Sequence, residues 1–286
     1  MSLKDHFGHD RPLNSMYRIL ESAVTSGVTH FDLAPHYGPP RGAAEENFGR
    51  LLHGLRCRRE EIVLSARSGN GPKSECLAGF GSRKFLMSSL HATLRRTGLD
   101  HVDVFYAHRY DPFTPVEETA AALESLVRQG KALYVGLSGY TLAAFRLVSE
   151  ALNDLGTPVT ACRVTYSVFD RWPEHALFSL LQEQGVGCVV DGALDLTGTT
   201  DPDGAEAADG EFLRRLESIS GERGQTPVQC ALSWTLRKQS VTSVLASPVS
   251  SGELVEHCAA AAQTHFTETH LSIIDGFIPE LEKRRQ

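Results

Sequence analysis

Residues 31–49 read FDLAPHYGPPRGAAEENFG, and the order of the parts decides the fold. An apolar run beginning at Val28 closes on a carboxylate, Asp32. A phenol, Tyr37, follows inside a Gly/Pro turn, and Ala43-Ala44-Glu45-Glu46 then opens a helical pattern. Strand, turn and helix in immediate succession make one βα unit.

The unit recurs outward in both sequence directions. Short β-rich runs stand at 28–33, 62–66, 102–108, 132–138, 161–166, 186–190 and 241–247, with a poorly patterned eighth around 1–7. Between them, 13–26, 43–52, 83–97, 116–129, 142–155 and 175–184 carry apolar residues at three- and four-residue spacing, the signature of helices with one buried face. Gly27, Gly98, Gly130 and Gly185 close several of these, as left-handed residues after a helix. Further helical patterns follow at 211–221, 227–238, 252–262 and 270–283. A period of about 30 residues leaves no room for a second domain between units. The expected architecture is a single α/β domain over 1–286, a (β/α)8 TIM barrel. The small, acidic stretch TGTTDPDGAEAADG at 197–210 reads as a mobile loop.

Composition narrows the function. The chain of 286 residues is 41% hydrophobic, enough for a full core, and its net charge of −7 with scattered Lys and Arg argues against nucleic acid or an anionic membrane as partner. Six cysteines lie far apart without metal-ligand spacing, so they read as reduced thiols, and no metal site is expected. No apolar run reaches the roughly 18 residues of a membrane span, and a cytoplasmic location is expected.

The chemistry of such a barrel sits where its strands end. The polar residues there are Asp32, Arg67, His108, Ser138, Arg163 with Tyr166, Asp191 and Ser247, all expected on one face. Their surroundings also carry a resemblance. THFDLAPHYGPP, EIVLSARSG, LDHVDVFYAHR and GKALYVGLSGY, with AAEENFGRLL, GSRKFLMSSL, TPVEETAAAL and RGQTPVQCALSWTLR, resemble the aldo-keto reductase superfamily. The likeness is to its bacterial glyceraldehyde-3-phosphate reductase-like and potassium-channel β-subunit-like branch, dense from Phe7 to Gln184 and patchy beyond. Against that family the N-terminal hairpin that plugs the barrel bottom is expected to be missing.

The resemblance implies a catalytic tetrad at Asp32, Tyr37, Arg67 and His108, with Arg67 standing where the family has Lys. A phenol of ordinary pKa about 10 is a poor acid at neutral pH, so a cation and an imidazole beside it must ease its proton transfer. Tyr37 is then the proton donor to a carbonyl oxygen, Asp32 the partner of the Arg67 cation, and His108 the group that orients the substrate. Arg keeps the charge of Lys but presents a planar fork in place of a compact ammonium.

The resemblance also implies NADP(H), held by Ser138, Gly139, Arg163, Tyr166, Asp191, Gly192, Ser247, Glu253, Glu256 and His257. Several of these depart from the family pattern. Arg163 replaces a carboxamide-binding Gln, Asp191 and Asp195 bring negative charge toward a diphosphate, and the 247–257 segment has no Lys or Arg for a phosphate. The expected function is therefore reduction of a small carbonyl substrate with impaired or atypical NADP(H) binding. One alternative is a redox-neutral dehydratase or isomerase using Tyr37 and His108 as acid and base without a nicotinamide cofactor. Another is a non-catalytic binding or regulatory protein that inherited its strand-end residues. Arg67 and Arg163 suit either an anionic substrate or ion pairs with Asp32, Asp191 or Asp195, and the Glu45-Glu46 pair reads as complementing a helix dipole.

Overall fold

The computed structural model of the protein describes residues 1–69, 79–194 and 206–276. Seven parallel strands run in sequence order: β1 (His30–Leu33), β2 (Val63–Arg67), β3 (Val102–His108), β4 (Ala132–Ser138), β5 (Val159–Thr165), β6 (Gly187–Asp191) and β7 (Val241–Val244). The helices are α1 (Leu13–Thr25), α2 (Ala43–Leu52), α3 (Arg83–Thr97), α4 (Val116–Arg128), α5 (Leu142–Asp154), α6 (Leu177–Gln184), α7 (Glu206–Glu222), α8 (Pro227–Leu236), α9 (Ser251–Ala259) and α10 (Glu268–Asp275). This is the (β/α) barrel order that the strand and helix periodicities predict.

The eighth strand is not of the expected kind. Residues 1–3 pair with Asp32 through a single bridge at Ser2, and a 3-10 turn, Asp5–Phe7, takes up the rest of the run. Three backbone hydrogen bonds nevertheless join the two ends of the sheet: Asp32 N to Met1 O (2.8 Å), Leu3 N to Asp32 O (3.1 Å) and Ser2 N to Ala246 O (2.8 Å).

Side-chain alternation along the strands separates two environments. Phe31, Leu33, Leu64, Ala66, Phe105, Ala107, Leu137, Cys162, Val164, Cys188 and Val190 are buried in the large core with the helices. The opposite face looks into the barrel, and its apolar content is small: Val104, Tyr106 and Ala161 form a separate cluster. The remaining positions on that face include Asp32, Ser65, Arg67, His108, Ser138, Arg163 and Asp191, whose register aligns Arg67 with Tyr106, His108 with Ser138, and Ser138 with Arg163. Gly136 belongs to the same face, because a Cβ there would lie 2.4 Å from the Tyr106 ring.

Two boundaries move for identifiable reasons. β1 starts at His30, not at Val28, since the Val28 N–H bonds back to Ala23 O (2.9 Å) to close α1, with Gly27 at φ 81. Helix α7 begins at Glu206 and so takes residues 206–210 from the predicted loop, whose Glu206, Ala207 and Ala208 are good helix formers. The rest of that stretch, 197–205, lies outside the described residues, as do Asp195 and Cys76. The five described cysteines are free thiols, and among the described residues no helix is long and apolar enough to cross a membrane.

Candidate active site

The tetrad positions meet at the C-terminal ends of β1, β2 and β3. Tyr37 is brought there by the turn after β1, in which its N–H bonds to Ala34 O (3.0 Å), and its side chain is 3% exposed. Four groups surround its hydroxyl. Arg67 NH2 donates to it at 2.6 Å, Arg163 NH2 at 3.2 Å and Ser2 Oγ at 3.0 Å, while the phenol's own proton has Asp32 Oδ2 as acceptor at 3.2 Å.

Asp32 is fully buried, and its pairing corrects the expectation that Arg67 is its cation. Among the described residues its ion pair is with Arg163 (NH1 to Oδ2, 3.4 Å), and Arg67 forms none within 4.0 Å. The reason is geometric: Arg67 NH2 is taken by Tyr37 and lies 3.4 Å from His36 Nε2, whereas Arg163 reaches across the barrel from β5. Ser65 Oγ donates to Asp32 Oδ1 (2.8 Å), so the Ser65 oxygen accepts from His30 Nε2 (2.8 Å). Burial pushes the Asp32 carboxyl upward, but the guanidiniums of Arg163 and Arg67 outweigh it and hold the group below its ordinary range.

His108 faces the mouth with Nδ1 3.1 Å from Ser138 Oγ, and its N–H donates to Ser68 Oγ (2.9 Å). Burial, then Arg67 and Arg163, lower it to about 3, and the same causes bring His36 to about 4. Both imidazoles are neutral at neutral pH. They are available as hydrogen-bonding groups next to a cation-rich centre.

The residues expected to hold a cofactor fare differently. Ser138 and Gly139 are at the mouth beside His108. Arg163 is 2% exposed and committed, since NH2 also donates to Asp191 Oδ2 at 2.5 Å, and Lys4 Nζ lies 3.4 Å from the other Asp191 oxygen. Gly192 N donates to Asp191 Oδ1 (3.0 Å). Burial raises Asp191, and Arg163 and Lys4 lower it further than that. Tyr166 departs from its expected place: it is 0% exposed, stacked on Trp234 with 5.2 Å between centroids, and donates to Glu174 Oε1 (2.5 Å). As the residue after β5 it continues the alternation outward, toward α8. At the start of α9, Ser250 Oγ accepts from Glu253 N (3.2 Å) and Glu253 Oε2 from Val249 N (3.0 Å). Glu256 accepts from Thr226 Oγ1 (2.6 Å), and His257 is partly buried, lowered by burial. Ser247 lies in the loop between β7 and α9.

Sequence reasoning passed over Ser2, Lys4 and Ser65. Ser65 was detectable, because it stands two residues before Arg67 on one strand and so shares its face. Ser2 and Lys4 had no local signal. Glu45 is also more than a dipole partner: it is fully buried, accepts from Thr93 Oγ1 (2.7 Å) and pairs with Arg96. Among the described residues no group of His, Cys, Asp and Glu is placed to hold a metal ion.

A parallel barrel that gathers a buried tyrosine, a carboxylate, a cation and an imidazole at its strand ends has the build of a barrel enzyme, whose chemistry sits on that face. The Aldo/keto reductase family profile matches residues 6–279, and the chain belongs to that family. It is 38% identical to L-glyceraldehyde 3-phosphate reductase of Escherichia coli O157:H7, across 99% of this chain and 89% of that protein. It is 30% identical to the probable voltage-gated potassium channel subunit beta of Arabidopsis thaliana, across 89% and 84%. In structure it is similar to a thermostable aldo-keto reductase, Tm1743, crystallised with the inhibitor epalrestat, at a TM-score of 0.77 and 28% identity over 97% of this chain and 93% of that one.

Proposed function

We propose that this family member transfers a proton between Tyr37 and the oxygen of a small carbonyl substrate. The observation that carries this is the Tyr37 hydroxyl, which two guanidiniums and Asp32 surround within 3.2 Å. As the phenol gives up its proton, Arg67 and Arg163 are already aimed at the oxygen that gains charge, an arrangement that needs no reorganisation during the step. Neutral His108, braced by Ser138, orients the carbonyl oxygen.

Two reactions share this step. Reduction of the carbonyl adds a hydride, and similarity to a reductase supports that reading. Redox-neutral isomerisation moves protons alone, and dehydration adds the loss of a protonated hydroxyl as water; neither needs a hydride, and we favour this pair of reactions on the β5–β7 side of the mouth. There Arg163 is held by Asp32, Asp191 and Tyr37, so that it has no hydrogen-bond acceptor to offer a carboxamide. At the start of α9 the Glu253 carboxylate and the Ser250 cap occupy backbone N–H groups that a phosphate would need, with no Lys or Arg in 245–257. These residues do not fit NADP(H).

The substrate we infer is anionic. Arg41 lies over Gly69, where an added Cβ would be 2.5 Å from its NH2, and Arg109 adjoins His108 and Gly139; neither forms an ion pair among the described residues. With Arg67 they make the mouth electropositive on a chain of net charge −7, which concentrates anions at the site.

Titration of the purified protein with NADPH and with NADH, followed by nicotinamide fluorescence, separates the two reactions. No saturable binding up to millimolar cofactor is expected. Saturation in the micromolar range returns the protein to the reductases and sinks the redox-neutral reading.

A further inference from the structure

We propose that Arg163 is a catalytic residue of the Tyr37 site, with Asp191 as the residue that positions it. The inference rests on the reading of Tyr37 as the proton-transferring group, and it reassigns a side chain that the family resemblance gave to a cofactor.

Arg163 stands on the inner face of β5, between Ser138 and Val189 in register, with 2% of its surface exposed. A guanidinium in such a place costs desolvation, and Arg–carboxylate pairs are frequently two-pronged forks. Arg163 makes no fork. Its NH2 is divided between Asp191 Oδ2 (2.5 Å) and the Tyr37 hydroxyl (3.2 Å), and NH1, although 3.4 Å from Asp32 Oδ2, has no hydrogen-bond partner. A cation divided among three oxygens stabilises whichever of them carries charge, and of the three only the Tyr37 oxygen changes charge during the reaction.

The balance of the step is simple. The Tyr37 O–H bond breaks, an O–H bond forms on the substrate oxygen, and no electrons are gained or lost. Arg163 stays protonated throughout, as guanidiniums do. Asp191 is tied to Lys4 and to Gly192 N as well as to Arg163, so it is a fixed anchor on the far side of the guanidinium. It therefore sets the direction in which NH2 points.

The titration that decides it needs no substrate. Protein labelled with 3-fluorotyrosine gives a fluorine NMR signal for Tyr37, assigned by its loss in Tyr37→Phe, and its pH titration reports the groups around the phenol. Those groups are Ser2, Asp32 on β1, His36, Arg67 on β2 and Arg163 on β5, with Asp191 and Lys4 behind Arg163. Arg163→Met alone strands buried Asp32 and half-buried Asp191, so the informative variant is Arg163→Met with Asp191→Asn. Its Tyr37 midpoint is expected to rise by about one pH unit or more, a tenfold change. Arg163→Lys keeps the charge without the planar guanidinium and is expected to raise it by less; if the double variant does not fold, this variant decides. A midpoint equal to or below that of the unsubstituted protein overturns the proposal. Loss of turnover in Tyr37→Phe combined with full turnover in Arg163→Lys and an unmoved midpoint would keep Tyr37 as the proton donor and remove Arg163 alone.

Discussion

The two sides of the barrel mouth hold charged groups of both signs and use them in opposite ways. On the β1–β3 side the groups converge on one oxygen, that of Tyr37, and Arg67 donates to it with no carboxylate of its own within 4.0 Å among the described residues. On the β5–β7 side they satisfy one another: Arg163 with Asp191, Asp191 with Lys4, Glu253 with a backbone N–H, Glu256 with Thr226. Arg163 is the link between the two, since it touches Tyr37 and Asp32 as well. Charged groups that converge on one oxygen are arranged for chemistry or ligand binding, whereas pairs that answer one another also occur as structural networks. One side of the mouth thus gathers its charged groups around a single phenol, while on the other they pair mainly with one another.

The contrast can be broken at its strongest point first. Tyr37→Phe removes only the hydroxyl, and turnover of the carbonyl substrate is expected to fall by roughly 100- to 10,000-fold, the range of a positioned acid. Steady-state kinetics on the purified variant with an intact circular dichroism spectrum is the measurement, and undiminished turnover would exclude Tyr37 as the acid.

Next in size is a cost in stability. Asp32→Ala leaves Arg163 with one of its two carboxylates and removes the acceptor of Ser65 and Tyr37, so urea unfolding is expected to show a loss of about 3–5 kcal/mol. A loss below about 1 kcal/mol, the range of an exposed ion pair, would mean that the pairing inside the barrel is dispensable.

Acid should then act mainly on the β1–β3 side. His30, His36 and His108 are all lowered in the folded protein, to about 4, about 4 and about 3, each by burial first and then by neighbouring cations. Below the ordinary value of about 6.5 the unfolded chain takes up protons on these rings before the folded one does. Their contribution is complete above pH 6.5 and is lost as pH falls from there toward 4 and then 3. The urea midpoint is expected to drop across that window, and less steeply in His108→Asn. An unchanged slope in that variant would remove His108 from the account.

The smallest effect belongs to the other side. Ser250→Ala deletes the cap of α9 and is expected to cost about 1 kcal/mol of stability while leaving turnover unchanged. A change in activity there would give the α9 end a part in the reaction.

Much of the barrel was legible because its signals are local. β3 and β4 match their predicted bounds, since each is an apolar run flanked by turn residues, and α2 and α3 match because their apolar spacing is uninterrupted. Val28 was misread as strand because its part in closing α1 depends on a backbone bond that hydropathy does not record. Asp32, Arg67 and His108 were visible as polar strand ends and Tyr37 through the family resemblance, but their partners were not. Asp32 and Arg163 are 131 positions apart, and Arg163 was assigned to a cofactor on the family resemblance, where it replaces a carboxamide-binding Gln.

By itself, the sequence determined the alternation of strand and helix, the face on which Asp32, Tyr37, Arg67 and His108 emerge, and the want of a basic residue in 245–257. Each follows from spacing or residue type within one segment. Only the tertiary structure decided that Arg163, not Arg67, answers Asp32, that Ser2 and Arg163 both reach the Tyr37 hydroxyl, and that Tyr166 turns away to stack on Trp234. Those outcomes depend on which side chains a closed barrel brings within hydrogen-bond distance across its interior, and no periodicity along the chain encodes that distance.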